Sequence, residues 1–125
     1  MKIAYVIPSD DLMLGPDNEL LIKNPLLVIA KSSFPEVHDF SVNIGIIKTE
    51  DNTELSCEVF IIRASDEKVI EQRHFTQTIK EHDTTGIVRQ IHFNDFEFTE
   101  KGIYNVVVQA DGKKLEASFN VVLKE

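Results

Sequence analysis

The chain has 125 residues, 42% of them hydrophobic and 27% charged, and a net charge of −8 from 13 Lys and Arg against 21 Asp and Glu. This balance suits one folded domain over residues 1–125 and excludes a disordered tail, while scattered basic residues on an acidic chain lead us to expect no nucleic acid as a partner. The lone Cys57 rules out an intramolecular disulfide or a zinc ribbon, and no apolar window nears the roughly 18 residues of a membrane helix, so no membrane association is expected.

In chain order, Lys2 to Ile7 reads as a first strand. Its five-residue apolar run before Pro8 is too short for a signal-peptide core, which points to a reduced, cytoplasmic protein. Gly15-Pro16-Asp17-Asn18 is a turn signal between Leu12-Met13-Leu14 and Leu20-Leu21-Ile22, a hairpin. Leu26 to Ala30 is too apolar to be exposed on both faces. After the Phe34-Pro35 break, Phe40, Val42, Ile44 and Ile46 alternate with Ser41 and Asn43, the pattern of a half-buried strand. Leu55, Cys57, Val59 and Ile61 mark the next strand, with Phe60 and Ile62 making its other face apolar near one end. Such a strand is central, or covered there by a loop. Lys68 to Ile79 carries charges and amides and reads as a polar edge strand. Ile87, Arg89, Ile91 and Phe93 share one face of a further strand, and Phe96 and Phe98 lead into a closing hairpin. There Tyr104, Val106 and Val108 alternate out, Asp111-Gly112 turns, and Leu115 to Leu123 alternates back.

Period-2 alternation with no helical window predicts an all-β fold, an antiparallel immunoglobulin-like β-sandwich with Greek-key connections, with a β-barrel as the alternative. Gly102, Tyr104, Asp111 and Gly112 are read as structural residues.

The stretch Glu100-Lys101-Gly102-Ile103-Tyr104-Asn105-Val106 resembles the Asp-x-Gly-x-Tyr-x-Cys corner of immunoglobulin variable domains, with Glu and Val in the Asp and Cys places. Across most of its length the chain resembles an uncharacterised family of short bacterial proteins. The matching residues are the Met-Lys opening, Ser9-Asp10-Asp11, Pro16-Asp17-Asn18, Phe34-Pro35, Phe98, Gly102, Tyr104, Val108 and Asp111-Gly112. Glu19 departs from the family's Gly-Lys. The resemblance implies a compact β-sandwich and no chemistry.

Candidate sites are few. Glu81, His82 and Asp83, joined by His92, could hold a divalent ion, although adjacent residues on an extended loop point apart. Asp10, Asp11, Asp17 and Glu19 form an acidic end whose spacing is not that of an EF-hand. Cys57, alternating with Leu55 and Val59, reads as a small buried hydrophobe. No serine sits in a nucleophile elbow, and no Gly-rich loop could cradle a phosphate. No cofactor is expected. The function expected is therefore a non-catalytic module, not an enzyme, that binds a protein partner or a copy of itself through a strand edge. The alternatives are a small metal-dependent enzyme centred on residues 81–92 and an acidic inhibitor mimicking nucleic acid.

Overall fold

A computed structural model describes residues 1–10, 12–14, 16, 20–22, 24–47, 54–78 and 86–124. Ten strands are seen among them: β1 (Lys2–Ser9), β2 (Leu12–Leu14), β3 (Leu20–Ile22), β4 (Val28–Lys31), β5 (Glu36–Ile47), β6 (Glu54–Arg63), β7 (Lys68–Thr78), β8 (Gly86–Phe98), β9 (Gly102–Ala110) and β10 (Lys113–Leu123). They form a three-stranded sheet, β1-β5-β8, a five-stranded sheet, β4-β10-β9-β6-β7, and the small β2-β3 hairpin. The chain passes between the two large sheets from β4 to β5, from β5 to β6, from β7 to β8 and from β8 to β9. The result is an all-β sandwich that does not close into a barrel. Among the described residues no helix is long and apolar enough to cross a membrane.

The period-2 patterns become the core directly. Phe40, Val42, Ile44 and Ile46 from β5 meet Leu55, Cys57, Val59 and Ile61 from β6 and Tyr104, Val106 and Val108 from β9, all buried. At one end Phe40 stacks on Phe93, with ring centroids 5.0 Å apart, and touches Phe96, Phe98 and Phe119 at 5.4–6.3 Å. A bulge between His38 and Phe40 makes this cluster possible by shifting the β5–β8 register. Opposite it, Asp95 takes a φ of 53° and its N–H donates to Asp39 Oδ1 at 2.7 Å. The shift changes the parity of β8, so Phe93, Phe96 and Phe98 all point inward.

The closing hairpin turns on Asp111 and Gly112, both with positive φ (51° and 71°), the backbone of a two-residue turn that matches the twist of its strands. Upstream, Gly102 has a φ of 133° and Tyr104 Oη donates to Glu100 O at 2.8 Å. This bond ties the β8–β9 loop to the buried ring, so Tyr104→Phe should lower stability by about 1 kcal/mol. An unchanged midpoint in urea would remove that role.

Three features depart from the sequence pattern. The β4–β10 pair is parallel, Val28 opposite Asn120 and Lys31 opposite Leu123, so the sandwich is not wholly antiparallel. The chain from Leu26 to Ala30 is less covered than its composition suggests, since Leu27 is 75% exposed and Val28 53%. The reason is that β4 is an edge strand with only Ile29 turned into the core. And β5 is buried on both faces from Phe40 to Ile46, not half-buried. Its polar side is sealed by neighbours: Asn43 donates to Ile7 O and Ser9 Oγ, both at 2.8 Å, and accepts from Gln90 Nε2 at 2.7 Å. Beside it Gly45 leaves room for the Tyr5 ring, since a Cβ there would lie 2.1 Å from Tyr5 Cε2.

Candidate functional site

Glu81, His82 and Asp83 lie outside the described residues. His92, the fourth member of that set, sits opposite Ser41 in the β5–β8 register, with its Nδ1 2.8 Å from Ser41 Oγ. Ser41 is fully buried, so this pair does not present a nucleophile to solvent. Among the described residues no group of three or more His, Cys, Asp and Glu is placed to hold a metal. Of the acidic end, Asp10 is described, and it accepts from Asn24 Nδ2 at 3.3 Å and lies 3.8 Å from His38 Nε2. Burial, more than the nearby Lys31, lowers the pKa of His38 against the opposing pull of Asp10. Asp11, Asp17 and Glu19 lie outside the described residues. Cys57 is buried between β7 and β9 partners, and burial pushes its thiol up to about 11, which leaves little thiolate at neutral pH.

The other charged cluster is a clamp. Arg63 binds both oxygens of Asp66, at 3.0 and 2.6 Å, Thr99 Oγ1 at 3.0 Å and Glu100 Oε1 at 3.2 Å. Ser65 Oγ also donates to Glu100 at 2.8 Å, so the β6–β7 and β8–β9 loops are joined. Hydrogen bonding from Arg63 lowers the Asp66 pKa to about 2, well below the usual carboxylate range. A depressed carboxylate stabilises the fold above its unfolded pKa and loses that contribution as pH falls. Acid titration of stability should therefore show a loss between about pH 4 and pH 2 that Asp66→Asn removes. An identical acid profile in that variant would rule the clamp out as its source.

Surface cavities open between the described residues of the sandwich. A polar one of about 490 Å³ opens beside the Asp111-Gly112 turn, lined by Ser56, Glu58, Gln109 and Lys114. An apolar one of about 290 Å³ lies over Tyr5, Gly45, Ile47 and Val88. At the wall of the first, Ser56 Oγ lies 2.9 Å from His74 Nε2 on the exposed face of the sheet, whereas the lining of the second holds neither a serine nor a histidine.

The feature with the clearest chemical capacity is the β7 edge. Strand β7 is terminal in the five-stranded sheet, with β6 on one side and, among the described residues, no strand on the other. The direction of its backbone groups follows from the hairpin. Across a two-residue turn Ala110 and Lys113 bond each other, so Gln109, Val107 and Asn105 turn toward β6. The Ala64 N–H donating to Ile103 O at 2.9 Å keeps the same phase. By alternation Cys57, Val59 and Ile61 face β7, where they bond Phe75, Arg73 and Glu71. The N–H and C=O groups of Gln72, His74, Thr76 and Thr78 therefore point away from the sheet, and all four residues are exposed. A bulge at Ile61/Ile62 is confined to the strand's start.

The inner side of this edge is closed by a crossed pair of contacts. Arg73 on β7 lies over Phe93 on β8, 4.8 Å from the ring centroid, and Arg89 on β8 lies over Phe75 on β7 at 4.5 Å. Arg73 is also 3.1 Å from Glu71. These cations cover aromatic faces, and among the described residues they leave the strand edge itself open. Next to the edge, the outer face of the five-stranded sheet carries an apolar strip among polar residues. Phe60 pairs with Val107, and Ile62 pairs with Val69, which is 46% exposed. Ile103, further along β9, is 51% exposed. The edge was legible from composition, whereas the apolar face needed the register of β6, β7 and β9.

A family model described as a family of unknown function (DUF6941) matches residues 9–122. No curated protein matches the chain. Among solved structures the chain is similar to the Pseudomonas fluorescens alkylpurine DNA glycosylase AlkC bound to DNA containing an abasic site analog, with a TM-score of 0.52 and 14% identity. The match covers 94% of this chain and 30% of that one, and at this identity it speaks for the fold alone. It nevertheless corrects the expectation that nucleic acid is excluded. A comparable fold occurs within a protein bound to DNA, and a net charge of −8 describes the average field of the chain and not the field at one surface.

Proposed function

Because the chain belongs to DUF6941, a family of unknown function, its role has to be read from its surface, and we propose a non-catalytic, immunoglobulin-like β-sandwich that binds protein through the β7 edge. The observation that carries this reading is the row of outward backbone groups on Gln72, His74, Thr76 and Thr78, bordered by the apolar face around Phe60 and Ile62. An added strand would bond to the first and rest side chains on the second, so affinity comes from main-chain hydrogen bonds and selectivity from alternate side chains. A lone buried Cys57 suits a reducing compartment, and we place the protein in the cytoplasm. The metal-enzyme alternative draws no support from His92, whose Nδ1 faces Ser41.

The test is affinity capture from the source cytoplasm with the native chain, Thr76→Pro and Phe60→Asp as baits. A specific partner retained by the native chain and lost with both variants supports the proposal. Equal capture by all three would sink it. Saturable binding of a duplex carrying an abasic-site analogue would overturn it in favour of nucleic-acid binding.

A further inference from the structure

The β7 edge is self-complementary, and we infer that its partner is a second copy of this chain, joined by antiparallel β7–β7 pairing about a two-fold axis through Phe75. This rests on the reading of β7 as the binding edge and goes on to name the occupant and the register.

The argument is one of elimination among two-fold registers. Outward-facing residues must pair with outward-facing residues, and side chains directly opposite must share a face. An axis through Arg73 sets two guanidinium groups against each other and uses only Gln72 and His74 among the free residues. An axis through His74 opposes two imidazoles and leaves Thr78 unused, and an axis through Thr76 leaves Gln72 unpaired within β7. An axis through Gln72 runs the pairing back into the bulged start of the strand. With the axis through Phe75, Gln72 meets Thr78 of the copy and His74 meets Thr76, each twice. All four free residues are then satisfied, giving about eight backbone hydrogen bonds, two per bonded pair. Between them Arg73 lies opposite Gln77 and Phe75 opposite its counterpart. No like charges are opposed among these residues, and the outer face gains amide–hydroxyl and imidazole–hydroxyl pairs of the kind that stabilise neighbouring strands. The two five-stranded sheets become one sheet of ten strands.

The same geometry supplies a substitution that separates pairing from folding. Thr76 directs its N–H away from β6, so Thr76→Pro removes no bond of the monomer but blocks a strand arriving from outside. In sedimentation equilibrium the native chain should dimerise, and Thr76→Pro should remain monomeric at every concentration where the native chain dimerises. For register, mild oxidation should join His74→Cys to Thr76→Cys through a disulfide when the two are mixed and join neither variant to itself, because directly opposite residues lie within disulfide reach and diagonal ones do not. Buried Cys57 supplies no competing thiol. If Thr76→Pro fails to fold, the mixed cross-link carries the test alone. A native chain monomeric throughout, a dimer that survives Thr76→Pro, or self-linking of His74→Cys overturns the inference. Where the native chain is monomeric but Thr76→Pro still abolishes capture of another protein, the dimer falls and the β7 binding reading stands.

Discussion

Phe40→Ala should lower the free energy of unfolding by about 3–5 kcal/mol, the range for removing a buried aromatic ring. Phe40 is 1% exposed and stands where β5 and β8 meet the closing hairpin, in ring contact with Phe93, Phe96, Phe98 and Phe119. Its deletion removes apolar contact on every side. It also leaves a cavity that the surrounding rings, themselves in contact with one another, have little freedom to fill. Small domains hold about 5–15 kcal/mol in total, so this one change consumes a large part of the margin. Urea denaturation followed by circular dichroism should show the midpoint fall with the slope preserved. Phe40→Leu, which keeps most of the volume, should cost distinctly less. A loss below about 1 kcal/mol for Phe40→Ala would mean that the ring cluster relaxes freely and is not the centre of the core.

The second large effect is expected on the polar side of the same strand. Asn43 is 4% exposed and serves three groups at once: Ile7 O, Ser9 Oγ and the Gln90 amide. Asn43→Ala leaves Ile7 O and Gln90 Nε2 without that partner in a site closed to water, and should cost about 2–3 kcal/mol, near the upper end for a stranded buried group. Asn43→Asp separates hydrogen bonding from volume. An ionised carboxylate cannot donate to Ile7 O, whereas a protonated one can, so burial should raise its pKa above the unfolded value. Stability of that variant should therefore be greater in acid and fall as pH rises, opposite in sign to the Asp66 contribution. A flat difference between Asn43→Asp and the native chain across pH 4 to 8 would show that the site admits solvent.

Much of the architecture could be read before the fold was seen, because it depends on local alternation and turn chemistry. The inward faces of β5, β6, β9 and β10, the Asp111-Gly112 turn and the edge position of β7 all follow from residues close together in the chain. What could not be read depends on distant partners. The pairing of Val28 with Asn120 leaves no mark in either segment, and Arg89 among Ile87, Ile91 and Phe93 looks anomalous until Phe75 is placed beneath it. The two buried faces of β5 were hidden for a similar reason, since Ser41 and Asn43 read as a solvent face when their cover from β1 and β8 is unknown. For the candidate site, the open edge was visible in the polar composition of Lys68 to Thr78. Its hydrogen-bonding phase was not, because that phase is set by a turn more than thirty residues away. The metal set lost its one described member to Ser41, a contact between residues 51 positions apart.

The parallel β4–β10 pair has a consequence for the order of events during synthesis. Strands β1 and β4 give residues 1–31 a place in both sheets, and β4 is hydrogen-bonded to β10, some ninety residues further on. A pairing between residues 28–31 and 120–123 carries nearly the greatest loop-closure cost this chain can incur, so it belongs late in assembly. While the polypeptide emerges from the ribosome, the early segment must wait with its apolar residues uncommitted, and β9 lacks its neighbour. The sandwich cannot close vectorially from β1, because the five-stranded sheet is completed only once residues 120–123 are available to pair with β4.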